Sequence, residues 1–419
     1  MRCKVIVREY ILNNQMRIEG KFYLNDYSLL SMALEENSDK CQFLYELADV
    51  MNPPIFKRQF CKETERSVQY FQSSDVPMVS ERSNVFVLRK QAEKIDAIVK
   101  ENDILVTGFG TIGNVRLVTE LQDGTCYANN VARIKAKENV PYGFLYAFMA
   151  SKYANAQLNK NASGSVVRYI EAPGVKRTLV PIFPQEKQEQ IHKLIIDATQ
   201  KRIEANRLLE EAEKKLYIYT KLPQLTTENY DYFGVRSNNR NVSYFSKSIS
   251  KIDTTTINAF NHSYRIEKTK ELIRETCNTI TLEEMLDANK LFSTGSFPRV
   301  EVNPPNGIML INQKDIFNTI IKGKRISKRK VNTDNLLEYG EVLIAGVGTL
   351  GENEAFCRTI FANEELEGQL VSGEFIRMKT NEKYLSGYLF AWLSSDYGFR
   401  LIRNTQTGTK LCRPIPRLL

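Results

Sequence analysis

Apolar positions along the chain follow two periods, and the longest regular stretch follows the helical one. From Ile191 onward, Ile195, Ala198, Arg202, Ala205, Leu209, Ala212, Leu216 and Tyr219 succeed one another at alternating spacings of four and three. This is a heptad seam, broken only by Arg202 and widened by Leu194 and Leu208. Pro184 suits a first helical turn and Leu222-Pro223 a helix end, which predicts a helix of about 38 residues, about 57 Å long at 1.5 Å per residue. A stripe of this length predicts a covering partner helix along Ile191, Ile195, Ala198, Ala205, Leu209, Ala212 and Leu216; packing on the helix's own domain is the alternative. Shorter elements precede it. Val85 to Leu88 and Ile104 to Val106 read as strands, Gly108 to Gly113 as a turn, and the alternating Asn114 to Val118 as a returning strand. Tyr142 to Leu158 reads as one amphipathic helix, whereas residues 1 to about 50 predict no definite element.

The pattern then returns. Asp103-Ile-Leu-Val-Thr-Gly-Phe-Gly-Thr-Ile-Gly113 recurs 238 residues later as Glu341-Val-Leu-Ile-Ala-Gly-Val-Gly-Thr-Leu-Gly351, and Arg133 to Gly164 matches Arg377 to Gly408 at an offset of 244. Six inserted residues reconcile the two offsets. Phe56-Lys57-Arg58 answers Phe297-Pro298-Arg299, and Asp75-Val76 answers Asp315-Ile316. A period this long marks duplication of a whole module. The expected organisation is an N-terminal segment plus first module over 1–183, the long helix over 184–222, a linker over 223–239 and a second module over 240–419. Two similar mixed α/β modules, α+β in class, present two similar surfaces. Duplex DNA read as two half-sites is a target of that kind.

Composition narrows the partners. The 419 residues exceed what one core supports, and 42% hydrophobic with 26% charged residues describes an ordinary globular chain. No apolar run approaches the roughly 20 residues of a bilayer span, and the first residues lack the apolar centre of a signal peptide, so a cytoplasmic protein with no membrane partner is expected. Seven cysteines stand singly, which indicates neither a disulfide framework nor a metal site. A net charge of +9 favours a polyanionic partner. The densest basic run holds Lys322, Lys324, Arg325, Lys328, Arg329 and Lys330 with no acid among them. It reads either as a solvated loop or as a phosphate-contacting segment.

Several motifs invite catalytic readings and fail on context. Both glycine runs satisfy G-x-G-x-x-G, but a dinucleotide site needs a helix directly after the glycines, and here a strand comes next. Gly108, Gly110, Thr111 and Gly113, with Gly346, Gly348, Thr349 and Gly351, therefore read as structural turns. Asn52-Pro53-Pro54-Ile55 and Asn303-Pro304-Pro305-Asn306 are similar to the Asn-Pro-Pro-aromatic loop of amino-methyltransferases, yet both lack the aromatic and they fall out of register with the repeat. Glu19-Gly20-Lys21 has the tail of a nuclease motif without an upstream aspartate to share the metal. His192 and His262 accompany no nucleophile.

The repeated Gly-Thr-Ile/Leu-Gly turn, the late Ser163-Gly164 and Thr407-Gly408, the Ile182-Phe183-Pro184-Gln185-Glu186 entry and the heptad helix, in this order, resemble the specificity subunit of type I restriction-modification systems. The resemblance covers nearly everything after about residue 15. It implies two target-recognition domains joined by a long coiled-coil-forming helix, each reading half of a bipartite DNA site, with the helix docking methyltransferase subunits. It also implies no catalysis and no cofactor in this chain: S-adenosylmethionine, ATP and Mg belong to the modification and restriction subunits. Arg58, Arg299, Ser163 and Thr407 join the basic run as expected DNA contacts. One departure stands out, since the family pairs two antiparallel helices and these 419 residues encode the first alone. A self-contained adenine-N6 DNA methyltransferase and a helical scaffold without DNA affinity remain the alternative classes.

Overall fold

The computed structural model describes residues 5–13, 18, 23, 26–164, 167–225, 246–252, 256–289, 291–351, 354–408 and 411–414. The Glu19-Gly20-Lys21 segment and positions 226–239 of the expected linker lie outside them. The chain divides into two compact units, Met1–Asn206 and Arg207–Leu419, so the division falls inside the long helix rather than at either of its ends.

In the first unit the elements run α1 (Arg8–Asn13), α2 (Asp26–Glu35), β1 (Cys41–Phe43), α3 (Leu44–Leu47), β2 (Ala48–Met51), β3 (Phe60–Cys61), β4 (Ser67–Phe71), β5 (Phe86–Leu88), α4 (Arg89–Lys94), β6 (Ile104–Thr107), β7 (Val115–Leu117), β8 (Cys126–Tyr127), β9 (Val131–Ala136), α5 (Tyr142–Met149), α6 (Lys152–Asn161), α7 (Ala172–Val175) and β10 (Leu179–Pro181). They lead into the long helix α8 (Gln185–Thr220). One antiparallel sheet has the order β2-β9-β6-β7, a second has β3-β5-β4-β8 with β4 and β8 parallel, and β1 pairs with β10.

The unbroken apolar run of β6 results from its place inside the first sheet. Ile104 and Val106 point into a core shared with Phe144, Leu145 and Leu158 of the α5 and α6 helices, while Leu105 points the other way, among Phe71, Tyr127 and Val131. A strand covered on both faces cannot alternate with polar residues. The single helix expected over Tyr142 to Leu158 is instead two. Ser151 adopts an extended conformation (φ −74°, ψ 159°) and its hydroxyl accepts the Ala154 N–H at 3.3 Å, which ends α5 and caps α6. Apolar spacing alone does not register a break that keeps the same face buried.

In the second unit α9 (Tyr264–Thr276), α10 (Leu282–Met285), β11 (Ile308–Ile311), β12 (Lys324–Ile326), β13 (Val342–Ala345), β14 (Thr359–Phe361), β15 (Leu370–Val371), β16 (Phe375–Met378), α11 (Ser386–Ser394), α12 (Asp396–Arg403), β17 (Gln406–Thr407) and β18 (Arg413–Pro414) form sheets ordered β12-β11-β15, β14-β13-β16 and β17-β18. The registers repeat those of the first unit. Leu105 opposes Arg133 where Leu343 opposes Arg377, and Ile104 opposes Leu117 where Val342 opposes Phe361. Cys357 N–H donates to the Ala345 carbonyl as Gly113 N–H does to that of Thr107, and both residues have positive φ, so the larger offset already holds there and the six extra residues lie between Gly348 and Cys357. The four-residue helix α3 has its counterpart in α10, again at an offset of 238. Ahead of each, α2 packs on α6 and α9 on α12. The duplication thus includes a segment for which the apolar pattern predicted nothing definite.

Helix α8 starts where expected because the Pro184 carbonyl accepts the N–H groups of Lys187 and Gln188, and it ends at Lys221, whose φ of 57° leaves helical space. Among the described residues no helix is long and apolar enough to cross a membrane.

Candidate nucleic-acid interface

Backbone hydrogen bonds hold the glycine turns in both units. In the first unit Gly108 N–H donates to the Asn130 carbonyl at 2.9 Å and Gly110 N–H to the Arg168 carbonyl at 3.3 Å; in the second, Gly346 donates to Glu374 at 3.0 Å and Gly348 to Cys412 at 3.2 Å. A Cβ at Gly108 would run into the Ile170 carbonyl oxygen, and one at Gly346 into that of Glu374, so glycine is required for the close approach. Gly110 and Gly113 have positive φ. Thr111 and Thr349 are exposed beside them, and Gly351 belongs to the longer connection of the second unit, where Cys357 takes the place of Gly113. After each turn comes a strand, β7 or β14, with no helix dipole to receive a pyrophosphate.

Against each turn lies a short hairpin, with Ser163 opposite Tyr169 and Thr407 opposite Arg413. Ser163 and Thr407 are exposed at equivalent places. The two assemblies differ in decoration. Phe109 and Tyr169 stack with ring centroids 5.4 Å apart, both more than a third exposed, where the second unit has Val347 and Arg413.

The basic run divides in two. Lys324 lies on β12 and forms an exposed ion pair with Glu301 at 2.5 Å, while half-buried Arg325 donates weakly to the Gly307 carbonyl at 3.5 Å. Lys322 is exposed before the strand, and Lys328 and Arg329 are exposed in the turn after it; these three form no ion pair among the described residues. The Lys330 backbone belongs to the same turn. Arg299 and Arg58 are exposed, each with its guanidinium over an aromatic ring: Arg299 over Phe297 at 5.7 Å, Arg58 over Tyr70 at 5.6 Å. Burial pushes the Tyr70 hydroxyl up to about 12, against the opposing pull of Arg58.

Residues 42–214, from β1 into α8, match the family model described as the type I restriction modification DNA specificity domain. The chain carries a type I specificity domain. Comparison with curated proteins finds no match. Among solved structures, the chain is similar to the S subunit of the type I restriction-modification system from M. genitalium, at 13% identity over 86% of this chain and 78% of that one, TM-score 0.34. It is also similar to the HsdS subunit from Thermoanaerobacter tengcongensis, at 15% identity over 90% and 85%, TM-score 0.28. The type IIG restriction endonuclease BpuSI matches at 8% identity over 45% and 30%, TM-score 0.32. Likenesses this loose decide nothing about individual residues, for which the internal repeat is the guide.

In the specificity domain the expected helix seam is used at its start. Ile191 and Ile195 are half-buried against the domain core, and His192 accepts the Gly143 N–H through Nδ1 at 3.0 Å. Ala198 and Ala205 are exposed. In the second unit Ala212 is exposed, Leu209 is 54% exposed and Leu216 is buried, with neighbouring Tyr217 packing near Leu222, Ile273 and Tyr397. Packing on the helix's own domain thus takes up both ends of the seam, while Ala198, Ala205, Leu209 and Ala212 between them are exposed. Asn52 is likewise structural: its amide donates to the Asn129 carbonyl and accepts the Ala172 N–H.

Register also exposes residues that the sequence reading missed. Val68 opposes Val87 as Ile308 opposes Ile326, so Arg89 and Lys90 at the start of α4 occupy the places of Lys328 and Arg329. The signal was available in the sequence, but only by sliding Phe86-Val87-Leu88 onto Arg325-Ile326-Ser327, three residues with little in common with them.

Proposed function

We propose that this chain is the DNA sequence-specificity component of a type I restriction-modification complex, without catalysis of its own. Each unit reads one half of a bipartite duplex site, and α8 docks methyltransferase subunits along the open middle of its seam. The carrying observation is that a specificity-domain match over 42–214 sits on a sheet framework whose β4–β5, β4–β8, β6–β7 and β6–β9 registers recur in the second unit. Exposed cations contribute affinity for phosphates; loops touching base edges contribute the choice of sequence. S-adenosylmethionine, ATP and Mg act on the modification and restriction subunits, which this reading makes the chain's protein partners.

Selection from a random duplex library tests it. The expected outcome is a two-part motif with a constant gap, together with no equilibrium binding of S-adenosylmethionine by the isolated chain. A single continuous motif, or tight cofactor binding, would overturn the reading in favour of a self-contained enzyme. Failure to bind any duplex would leave a helical scaffold.

A further inference from the structure

The two units carry equivalent basic trios at one end of the β4/β5 and β11/β12 pairs. In the first unit the side chain of Gln91 receives the Gln59 N–H at 3.1 Å and donates to the Lys57 carbonyl at 2.6 Å, which holds Arg58 beside the first turn of α4, where Arg89 and Lys90 stand exposed. In the second, Ser327 N–H donates to the Val300 carbonyl at 2.8 Å and Val302 N–H to the Arg325 carbonyl at 2.9 Å. This places Arg299 next to Lys328 and Arg329.

Resting on the DNA reading above, we propose that Arg58, Arg89 and Lys90 in the first unit, and Arg299, Lys328 and Arg329 in the second, are matched phosphate-contact sites for the backbone of duplex DNA. Three observations favour the trios over the whole basic run. First, the residues at the places of Lys324 and Arg325 in the first unit are Val85 and Phe86, so charge on the strand itself is not shared. Second, Lys324 is neutralised by Glu301 and Arg325 is turned toward a backbone carbonyl, whereas Arg299, Lys328 and Arg329 have no acidic partner among the described residues. Third, both Arg58 and Arg299 are braced on an aromatic face, which leaves the planar fork ordered before a phosphate arrives. Among the described residues the one acid touching either trio is Glu93, 4.0 Å from Arg89 and itself exposed, a separation and setting that leave the cation available.

The test is the salt dependence of binding by the full chain to a mixed duplex pool. R58A/R89A/K90A and R299A/K328A/R329A should each lower the slope of log affinity against log salt by about two to three, since each phosphate contact contributes about 0.9. K322A/K324A should lower it by less than about one. The charge-keeping variants R58K/R89K/K90R and R299K/K328R/R329K should restore most of the slope, which separates a charge effect from a folding defect. A trio variant with the wild-type slope, or K322A/K324A matching the trios, would overturn the assignment while the DNA reading stands. A wild-type chain with no salt-dependent binding would instead remove the reading beneath it.

Discussion

The turn and hairpin of the first unit and their counterparts in the second share the backbone bonds that hold them and differ in what they display. Gly110 to Arg168 and Gly348 to Cys412 are the same contact made twice, as are Ser163 with Tyr169 and Thr407 with Arg413. On this common frame the first unit carries an exposed aromatic pair and the second a valine and an arginine. Carbonyl oxygens crowd Gly108 and Gly346, so those positions cannot vary; the outward positions are exposed or half-buried, so they can. A buried pair shows the same contrast inside the units. Arg377 meets Glu341 through two hydrogen bonds of 2.8 Å, both side chains about 1% exposed, whereas Arg133 lies 3.9 Å from the shorter Asp103 and turns to the exposed Asp96 at 2.8 Å.

The buried pair should break the symmetry most strongly. Arg377→Met strands Glu341 without its cation and should cost about 3–5 kcal/mol, while Arg133→Met, whose partners are nearer to water, should cost about 1–2 kcal/mol. Urea denaturation of the full chain measures both. Equal losses would mean that the extra methylene of glutamate does not decide the geometry. Next come the turns, where the units should agree: Gly108→Ala and Gly346→Ala should each cost about 2–3 kcal/mol because a backbone carbonyl must move. Gly110→Ala, with open space around it but a φ of +70°, should cost only about 1 kcal/mol in the same assay.

Titration has a smaller effect. Burial holds the Asp103 carboxyl above its ordinary range, against the Lys100 N–H bond and the Arg133 charge that favour ionisation. The native state therefore keeps this proton more tightly than the unfolded chain does. The group's contribution is greatest at low pH and is lost as pH rises from about 4 through the raised value. Asp103→Asn should remove that decline in a series of denaturation midpoints; an unchanged slope would place its origin elsewhere. Smallest in stability, and informative for binding, are the displayed side chains. F109A/Y169A and R413A should each shift unfolding by less than about 0.5 kcal/mol. Each should relax base preference in one half-site only, the arginine position favouring guanine, as duplex selection would record. Relaxation of both halves by one variant would dissolve the separate assignment.

Much of the frame was legible from residues. The strand-turn-strand at each glycine run could be read from alternation after Gly113, and the bounds of α8 from Pro184 and Leu222-Pro223, because a strand's two-residue period and a proline's missing N–H are local facts. What escaped depended on pairing at a distance. Ser151 looked like one more helical residue until its side chain capped α6. The counterparts α2 and α9 share a place in the fold without sharing a recognisable sequence. The basic run looked uniform until Glu301, distant in sequence, claimed one lysine of it, and Arg89-Lys90 drew no notice because two cations are common on any surface. Their significance comes from a strand register that lines up dissimilar residues.

The extra stretch between Gly348 and Cys357 has an engineering consequence. Both of its flanks keep their hydrogen-bonded neighbours despite the added length, so the sheet imposes no ruler on this connection. Grafting it after Gly110, or excising it from the second unit, amounts to exchanging a cassette whose sockets are already matched, and a chimaera built at that joint inherits an intact scaffold on either side.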